Sequence, residues 1–177
     1  MESNIVLECL RTRRSIRKYS PQQITDEELT AVLEAGTYAP TGKGLQDPWI
    51  VAVQKREQIE TLVRMNATVM GVESNPYYDA PTIVLVFASS PDKWANGILD
   101  GTLVLGNMMT AAHALGLGAC WINREREMFA TEEGRALMKQ WGLPDGLVGV
   151  GALSLGYPAG TPKPQPARKE NYFRIIR

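Results

Sequence analysis

The residues with most chemistry to offer form a run of cations. Arg11, Arg13, Arg14, Arg17 and Lys18 put five positive charges into eight residues, interrupted by Ser15 and Ile16 and closed by Tyr19. Such a run is either a solvated helix end or an anion clamp. In the second case Arg13, Ser15 and Arg17 supply guanidinium and hydroxyl donors to one phosphate, where charge-assisted and bidentate hydrogen bonds are strongest.

Elsewhere the side-chain inventory is sparse. The one histidine, His113, lies inside an apolar run and is the only imidazole available for base work near neutral pH. The pattern reads it as a hydrogen-bonded core histidine. Neither Cys9 nor Cys120 is near it in sequence, and no G-x-S-x-G elbow occurs, which argues against a Ser-His-Asp or Cys-His enzyme. Three N and S ligands at no metal-like spacing argue against zinc. The phosphate loop G-x-x-x-x-G-K-[ST] and the fingerprint G-x-G-x-x-G are absent; Gly149-Val-Gly151 lacks the third glycine. An enzyme this poor in reactive side chains leaves the reaction to a bound cofactor and supplies grip, orientation and electrostatics.

These residues need a frame. Residues 3–12 pair Ile5 with Cys9 and Val6 with Leu10 at helical spacing, so a short helix feeds the cationic run. Thr25 and Glu28 form a capping box that opens a helix expected to stop at Gly36. A long loop of small and turn-forming residues, 37–48, follows. Gly42 and Gly44 would let its backbone approach a flat ligand, and Gln46 carries an amide; a plain connection is the competing reading. Strands are expected at 49–53, 82–88, 119–123 and 147–155, and helices at 57–70, 97–115 and 132–141, with a turn at 75–81. The helix at 97–115 is apolar on nearly every side and must be covered by its own fold or by a partner subunit. The stretch 156–166 holds four prolines, and 172–176 reads as a strand in need of a sheet, as in tails that belong to a dimer.

The whole chain fits this picture of one α/β or α+β domain over residues 1–177. Its 177 residues can build a single core, and 44% hydrophobic with 21% charged residues is a globular composition. Nineteen Lys and Arg balance nineteen Asp and Glu, so no global field attracts nucleic acid or an anionic membrane. Two cysteines make no disulfide framework, and the cytoplasm is the expected compartment. The apolar run 98–117 is interrupted by Asp100, Asn107 and His113, which points to a buried helix of a soluble protein rather than a membrane span.

Four segments, in order over most of the chain, carry a resemblance. They are Arg13-Arg14-Ser15-Ile16-Arg17-Lys18-Tyr19; Ala39-Pro40-Thr41-Gly42 leading to Gln46 and Pro48-Trp49; Gly116-Leu-Gly-Ala-Cys-Trp-Ile122; and Leu155-Gly-Tyr-Pro158 with Pro166-Ala-Arg-Lys169. Together they resemble the FMN-dependent nitroreductase family. The resemblance implies an α+β fold, a central mixed sheet flanked by helices, built as an intertwined homodimer with the C-terminal strand exchanged and residues 156–177 packed on the partner. It also implies FMN held at the interface. Arg13, Arg14, Ser15 and Arg17 would take the phosphate and ribityl chain, joined by Arg168 and Lys169. Pro40, Thr41 and Gly42, with Gln46, would reach the ring from the other subunit. Asn66 would bond its pyrimidine edge, and Trp121, Ile122 and Asn123 would line it, with a main-chain N–H near Asn123 directed at N5. In this family Gln-Pro-Trp runs uninterrupted, whereas Asp47 separates Gln46 from Pro48 here, which leaves the register of 42–46 open.

The implied activity is a ping-pong transfer of two electrons from NADH or NADPH to nitroaromatic, quinone or similar small-molecule acceptors, with no protein nucleophile and no metal. Two alternatives differ in class. One is a protein that binds, senses or fragments flavin without an external acceptor. The other is nucleic-acid binding through residues 11–18, which predicts steep salt dependence and no yellow colour.

Overall fold

The computed structural model describes residues 4–162 and 164–177. The chain opens with helix α1 (Ile5–Thr12), N-capped by Asn4, whose side chain accepts from the N–H groups of Val6 and Leu7. Helix α2 (Asp26–Thr37) starts at the expected capping box, with Thr25 and Glu28 exchanging both bonds. It runs through Gly36 rather than stopping there. A Cβ at Gly36 would lie 2.8 Å from the Met108 side chain, so this glycine serves close helix packing and not a cap.

Strand β1 (Trp49–Val53) is followed by helix α3 (Arg56–Met70), which ends on Gly71 in the left-handed conformation. Strand β2 (Thr82–Ser89) leads to helix α4 (Gly97–Ala114), and strand β3 (Gly118–Ile122) follows it. Two short helices, α5 (Glu125–Phe129) and α6 (Glu132–Gln140), precede strand β4 (Leu147–Gly156). Helix α5 was not anticipated from sequence: its five residues are too few for an amphipathic period.

The strands order as β1-β2-β4-β3, every neighbour antiparallel. The expected mixed character enters at the β3 edge, where Ser15 makes a parallel bridge to Ala119. Helices cover both faces. Alternate residues of β2 go to opposite sides: Val84 and Val86 meet Val104, Leu105 and Met108 of α4, whereas Ile83, Leu85 and Phe87 meet Leu62, Met128 and Phe129 of α3 and α5. Between Val86 and Phe87 the pairing with β4 shifts register, a bulge that leaves Val150 packed against Gly101 of α4.

Two expectations concern surfaces that one chain leaves exposed. The outer face of α4 is not covered, since Leu99 and Leu103 are exposed. Within one chain residues 172–176 form no strand, and Tyr172, Phe173, Ile175 and Ile176 are exposed. Among the described residues, no helix is long and apolar enough to cross a membrane.

Candidate active site

The cationic run leaves the last turn of α1 as extended chain. Ser15 bridges to Ala119 and Ile16 N–H donates to the Ala119 carbonyl at 3.1 Å, so the run is pinned to the start of β3. The C-terminal segment folds back over it, with Gln165 Nε2 donating to the Arg11 carbonyl at 2.7 Å. The result is a cleft of about 950 Å³ that brings Arg13, Arg14, Ser15, Arg17 and Arg168 together. Lys169 is not among its lining residues; its ammonium lies over the Tyr172 ring, 4.7 Å from the centroid. Among the described residues no carboxylate pairs with these arginines, and Arg13 Nη1 is buried without a partner. Guanidinium groups without carboxylate partners lining one cleft have the chemistry to take an anion.

His113 is not a core residue. It lies half-buried in the last turn of α4, with Nε2 2.9 Å from Thr12 Oγ1. Burial, with Arg13 and Arg14 nearby, lowers its pKa, so the ring is neutral at pH 7. Cys120 is in the core as expected, and burial pushes its thiol up despite the proximity of Arg17. Neither residue is arranged as a nucleophile.

A second cluster sits at the far end of β3. Asn66, fully buried on α3, donates from Nδ2 to the Asn123 carbonyl at 2.9 Å and to Tyr77 Oη at 3.2 Å. Trp121 Nε1 donates to Asn123 Oδ1 at 2.8 Å. Thus Asn66, Trp121 and Asn123 come together. Ile122 does not line this surface with its side chain. Strand alternation turns it into the core among Leu62, Tyr77 and Phe129, so only its backbone is available. Asn66 Oδ1 is buried with no partner.

Sequence reasoning missed two members of this cluster. Tyr77 Oη donates to Glu125 Oε1 at 3.0 Å, and Glu125 is buried at the start of α5, its Oε2 unpartnered. Burial pushes the Glu125 carboxyl up to about 8, and burial beside Glu125 raises the Tyr77 hydroxyl. No local motif signals this trio, whose members belong to three different elements. The turn that carries Tyr77 also carries Tyr78, whose ring lies 5.8 Å from the Arg17 guanidinium, so one turn serves both ends of β3.

The loop of Pro40, Thr41, Gly42 and Gln46 lies at the N-terminal end of α4. Asp100 accepts from Gly42 N–H at 3.0 Å, and Thr41 Oγ1 accepts from Gln46 N–H at 3.0 Å. A Cβ at Gly42 would lie 2.7 Å from the Trp94 ring and 2.8 Å from Asn96, so only glycine fits there. Asp47, the residue that interrupts the Gln-Pro-Trp pattern, accepts from Ser89 N–H at 2.9 Å and from Ser89 Oγ at 2.6 Å. The insertion is a latch, and the residues before it stay at the surface. Asp100 and His113 mark the ends at which α4 meets the loop and the cationic run, roughly 20 Å apart at the helical rise per residue.

The model of the Nitroreductase family matches residues 10–157. A nitroreductase from Bacteroides fragilis, solved with bound FMN, superposes with a TM-score of 0.90 at 31% identity, covering 99% of this chain and 100% of that one. A relative from Archaeoglobus fulgidus, provisionally named an NADH dehydrogenase/NAD(P)H nitroreductase, is 33% identical over 85% of this chain and 86% of its own length. An NADPH-flavin oxidoreductase from Vibrio harveyi is 28% identical over 92% of this chain and 70% of its own. The sequence motifs, the helix-flanked sheet and these likenesses agree: the chain belongs to the nitroreductase family.

Proposed function

We propose that this chain is an FMN-dependent oxidoreductase that passes two electrons from NADH or NADPH to a nitroaromatic, quinone or similar acceptor. One observation carries the reading. A buried cationic donor without a partner, Arg13 Nη1, stands beside one end of β3, and a buried acceptor without a partner, Asn66 Oδ1, stands at the other. From Ala119 to Asn123 the strand spans roughly 13 Å at about 3.3 Å per residue. A ligand with a phosphate at one end and a flat ring bearing an N–H at the other would lie along this strand, with its two ends toward the unpartnered donor and the unpartnered acceptor. The relatives from Bacteroides fragilis and Vibrio harveyi bind FMN and act on flavin, respectively, by their names.

In this reading Arg13, Arg14, Ser15, Arg17 and Arg168 hold the phosphate, and Asn66 accepts from the N–H of the pyrimidine edge. Trp121 and the main chain at Asn123 border the ring. Bound FMN supplies the chemistry by taking up an electron pair from one substrate and returning it to another. The protein binds, orients and excludes, and donor and acceptor use the same cleft in turn. That division of labour fits a chain whose single histidine and two cysteines are not set up as nucleophiles.

A second copy completes the site. The outer face of α4, the apolar residues Ile5, Val6 and Leu10 of α1, and the tail from Tyr172 to Ile176 are exposed in one chain and need cover. In the dimer the loop of Pro40, Thr41, Gly42 and Gln46 reaches the partner's ring, and the tail with Lys169 packs on the partner. The test is an absorbance spectrum of the purified protein between 300 and 550 nm, before and after NADH or NADPH without oxygen. Flavin bands that bleach, and recover on adding an acceptor, are expected. Bands that persist with both donors would overturn the reductase reading, and no bands after FMN is supplied would overturn FMN binding.

A further inference from the structure

Asn66 is held by two acceptors, and the two are of different kinds. The Asn123 carbonyl can only accept, so Asn66 must turn Nδ2 toward it. Tyr77 Oη can accept or donate. It accepts from Asn66 because its own proton is committed to Glu125 Oε1, 3.0 Å away. With both amide hydrogens used, Oδ1 is left over as an acceptor with no protein partner. We infer that Glu125 and Tyr77 are positioning residues that lock the Asn66 amide with Oδ1 reserved for an N–H donor of the bound flavin.

The packing supports this. Glu125 is 1% exposed, and a Cβ at Gly149 of β4 would collide with the Glu125 carbonyl oxygen, so the backbone here fits closely under β4. Tyr77 is fully buried and is anchored through its backbone: its carbonyl accepts from Ser154 Oγ at 2.9 Å and its N–H donates to Asn75 Oδ1 at 2.8 Å. A carboxyl in so dry a place is neutral at pH 7, and its carbonyl oxygen accepts the tyrosine proton. Burying an acid in a core is costly, and an apolar residue would fill the space without that cost. What an apolar residue cannot do is fix the direction of the Tyr77 hydroxyl. Without an acceptor at position 125, the Tyr77 proton is left to Met128 Sδ, 3.7 Å away, or to Asn66, and the amide keeps only the Asn123 carbonyl to hold its direction.

The inference rests on the FMN reading, and the experiment separates the two. FMN affinity is measured by quenching of flavin fluorescence, with the visible spectrum of bound FMN, for wild type, Glu125→Gln, Glu125→Leu, Tyr77→Phe, Asn66→Ala and the double variant Tyr77→Phe with Asn66→Ala. Glutamine matches the neutral acid in shape and offers a carbonyl oxygen, so Glu125→Gln is expected to bind within about twofold of wild type. Glu125→Leu and Tyr77→Phe are expected to bind about tenfold more weakly, the size of one misdirected hydrogen bond. Both should shift the flavin band as Asn66→Ala does, and Tyr77→Phe should cost nothing further once Asn66 is alanine. Thermal midpoints report whether each variant folds. Wild-type affinity in a folded Tyr77→Phe, or its full penalty persisting in the Asn66→Ala background, would overturn the positioning role. A wild-type chain that binds no FMN would instead overturn the functional reading on which it rests.

Discussion

Asp100, in the first turn of α4, accepts a hydrogen bond from the Gly42 N–H at 3.0 Å while its other oxygen accepts from Trp94 Nε1 at 3.0 Å. A carboxylate 4% exposed is thus satisfied on both sides, and the surface loop is tied to the central helix. The loop needs such ties, because Lys43, Gly44 and Gln46 all adopt positive φ. Two of these three carry side chains that rarely sit there. Asp47 fastens the other end to Ser89, so a strained loop is held at both feet with its tip in solvent.

Removing one side of the tie should loosen the loop without unfolding the chain. Asp100→Asn keeps one acceptor oxygen and turns an amide NH₂ toward a second donor, leaving a buried clash of donors. The expected cost is about 1–3 kcal/mol, read from the denaturant midpoint. Hydrogen exchange at the Gly42 amide should accelerate at the same time. Unchanged exchange at Gly42 would show that the loop conformation is held by its own turn and not by Asp100.

The cationic cleft makes a separate prediction. Arg13→Ala and Arg17→Ala each remove charge-assisted bonds worth roughly 1.5–3 kcal/mol, so FMN affinity should fall about ten- to a hundredfold in each. Raising the salt concentration should weaken wild type more than either variant, since each has lost a cation. Riboflavin, which lacks the phosphate, should bind all three proteins with similar affinity. Titration of apoprotein with FMN and with riboflavin provides the check.

The residues of the cationic cleft were visible in the sequence because most of them are local: Arg13, Arg14, Ser15 and Arg17 lie within five residues. The capping box at Thr25 and the continuous apolar strand β2 were legible for the same reason, their signals being short-range. Asn66, Trp121 and Asn123 entered through the family resemblance alone. Tyr77 and Glu125 entered through neither, because their meeting depends on how α3, the 75–81 turn and α5 pack, and no spacing rule reaches across three elements. Asp47 is the instructive case. As an insertion it obscured the loop register, and only its partner Ser89, at the end of β2, reveals it as an anchor. Gly36 misled in the opposite sense, since a glycine near a helix end reads as a stop until Met108 is seen against it.

Glu125 should leave a mark on stability as a function of pH. Its carboxyl titrates near 8 in the folded chain, against an ordinary value of 4.5 when unfolded. Between these values the folded state keeps a proton that the unfolded state has released, so stability falls as pH rises from about 4.5 to about 8. The slope from this one group is at most about 1.4 kcal/mol per pH unit, and it flattens above 8. Glu125→Gln lacks the titration. Its thermal midpoint relative to wild type should therefore climb steadily from pH 5 to pH 8; a constant difference across that range would show that Glu125 is ionised in the fold.

The exposed apolar face of α4 yields the last prediction. Leu99 and Leu103 are four residues apart on one side of the helix, 63% and 47% exposed, and α1 adds Ile5, Val6 and Leu10. Isolated surface leucines need no explanation, but two on one side of a central helix in a chain that also exposes apolar residues of α1 do. A second copy packed there would bury it, and light scattering should then give about twice the 19.5 kDa chain mass. Leu99→Glu with Leu103→Glu would place two carboxylates in that dry interface, where desolvation opposes association. The inner face of α4, with Val104, Leu105 and Met108, is untouched, so secondary structure should survive while the mass falls to one chain. FMN affinity should fall with it, because the Pro40–Gln46 loop no longer reaches a neighbouring cleft. Retained FMN affinity in a monomeric variant would assign the whole site to one chain.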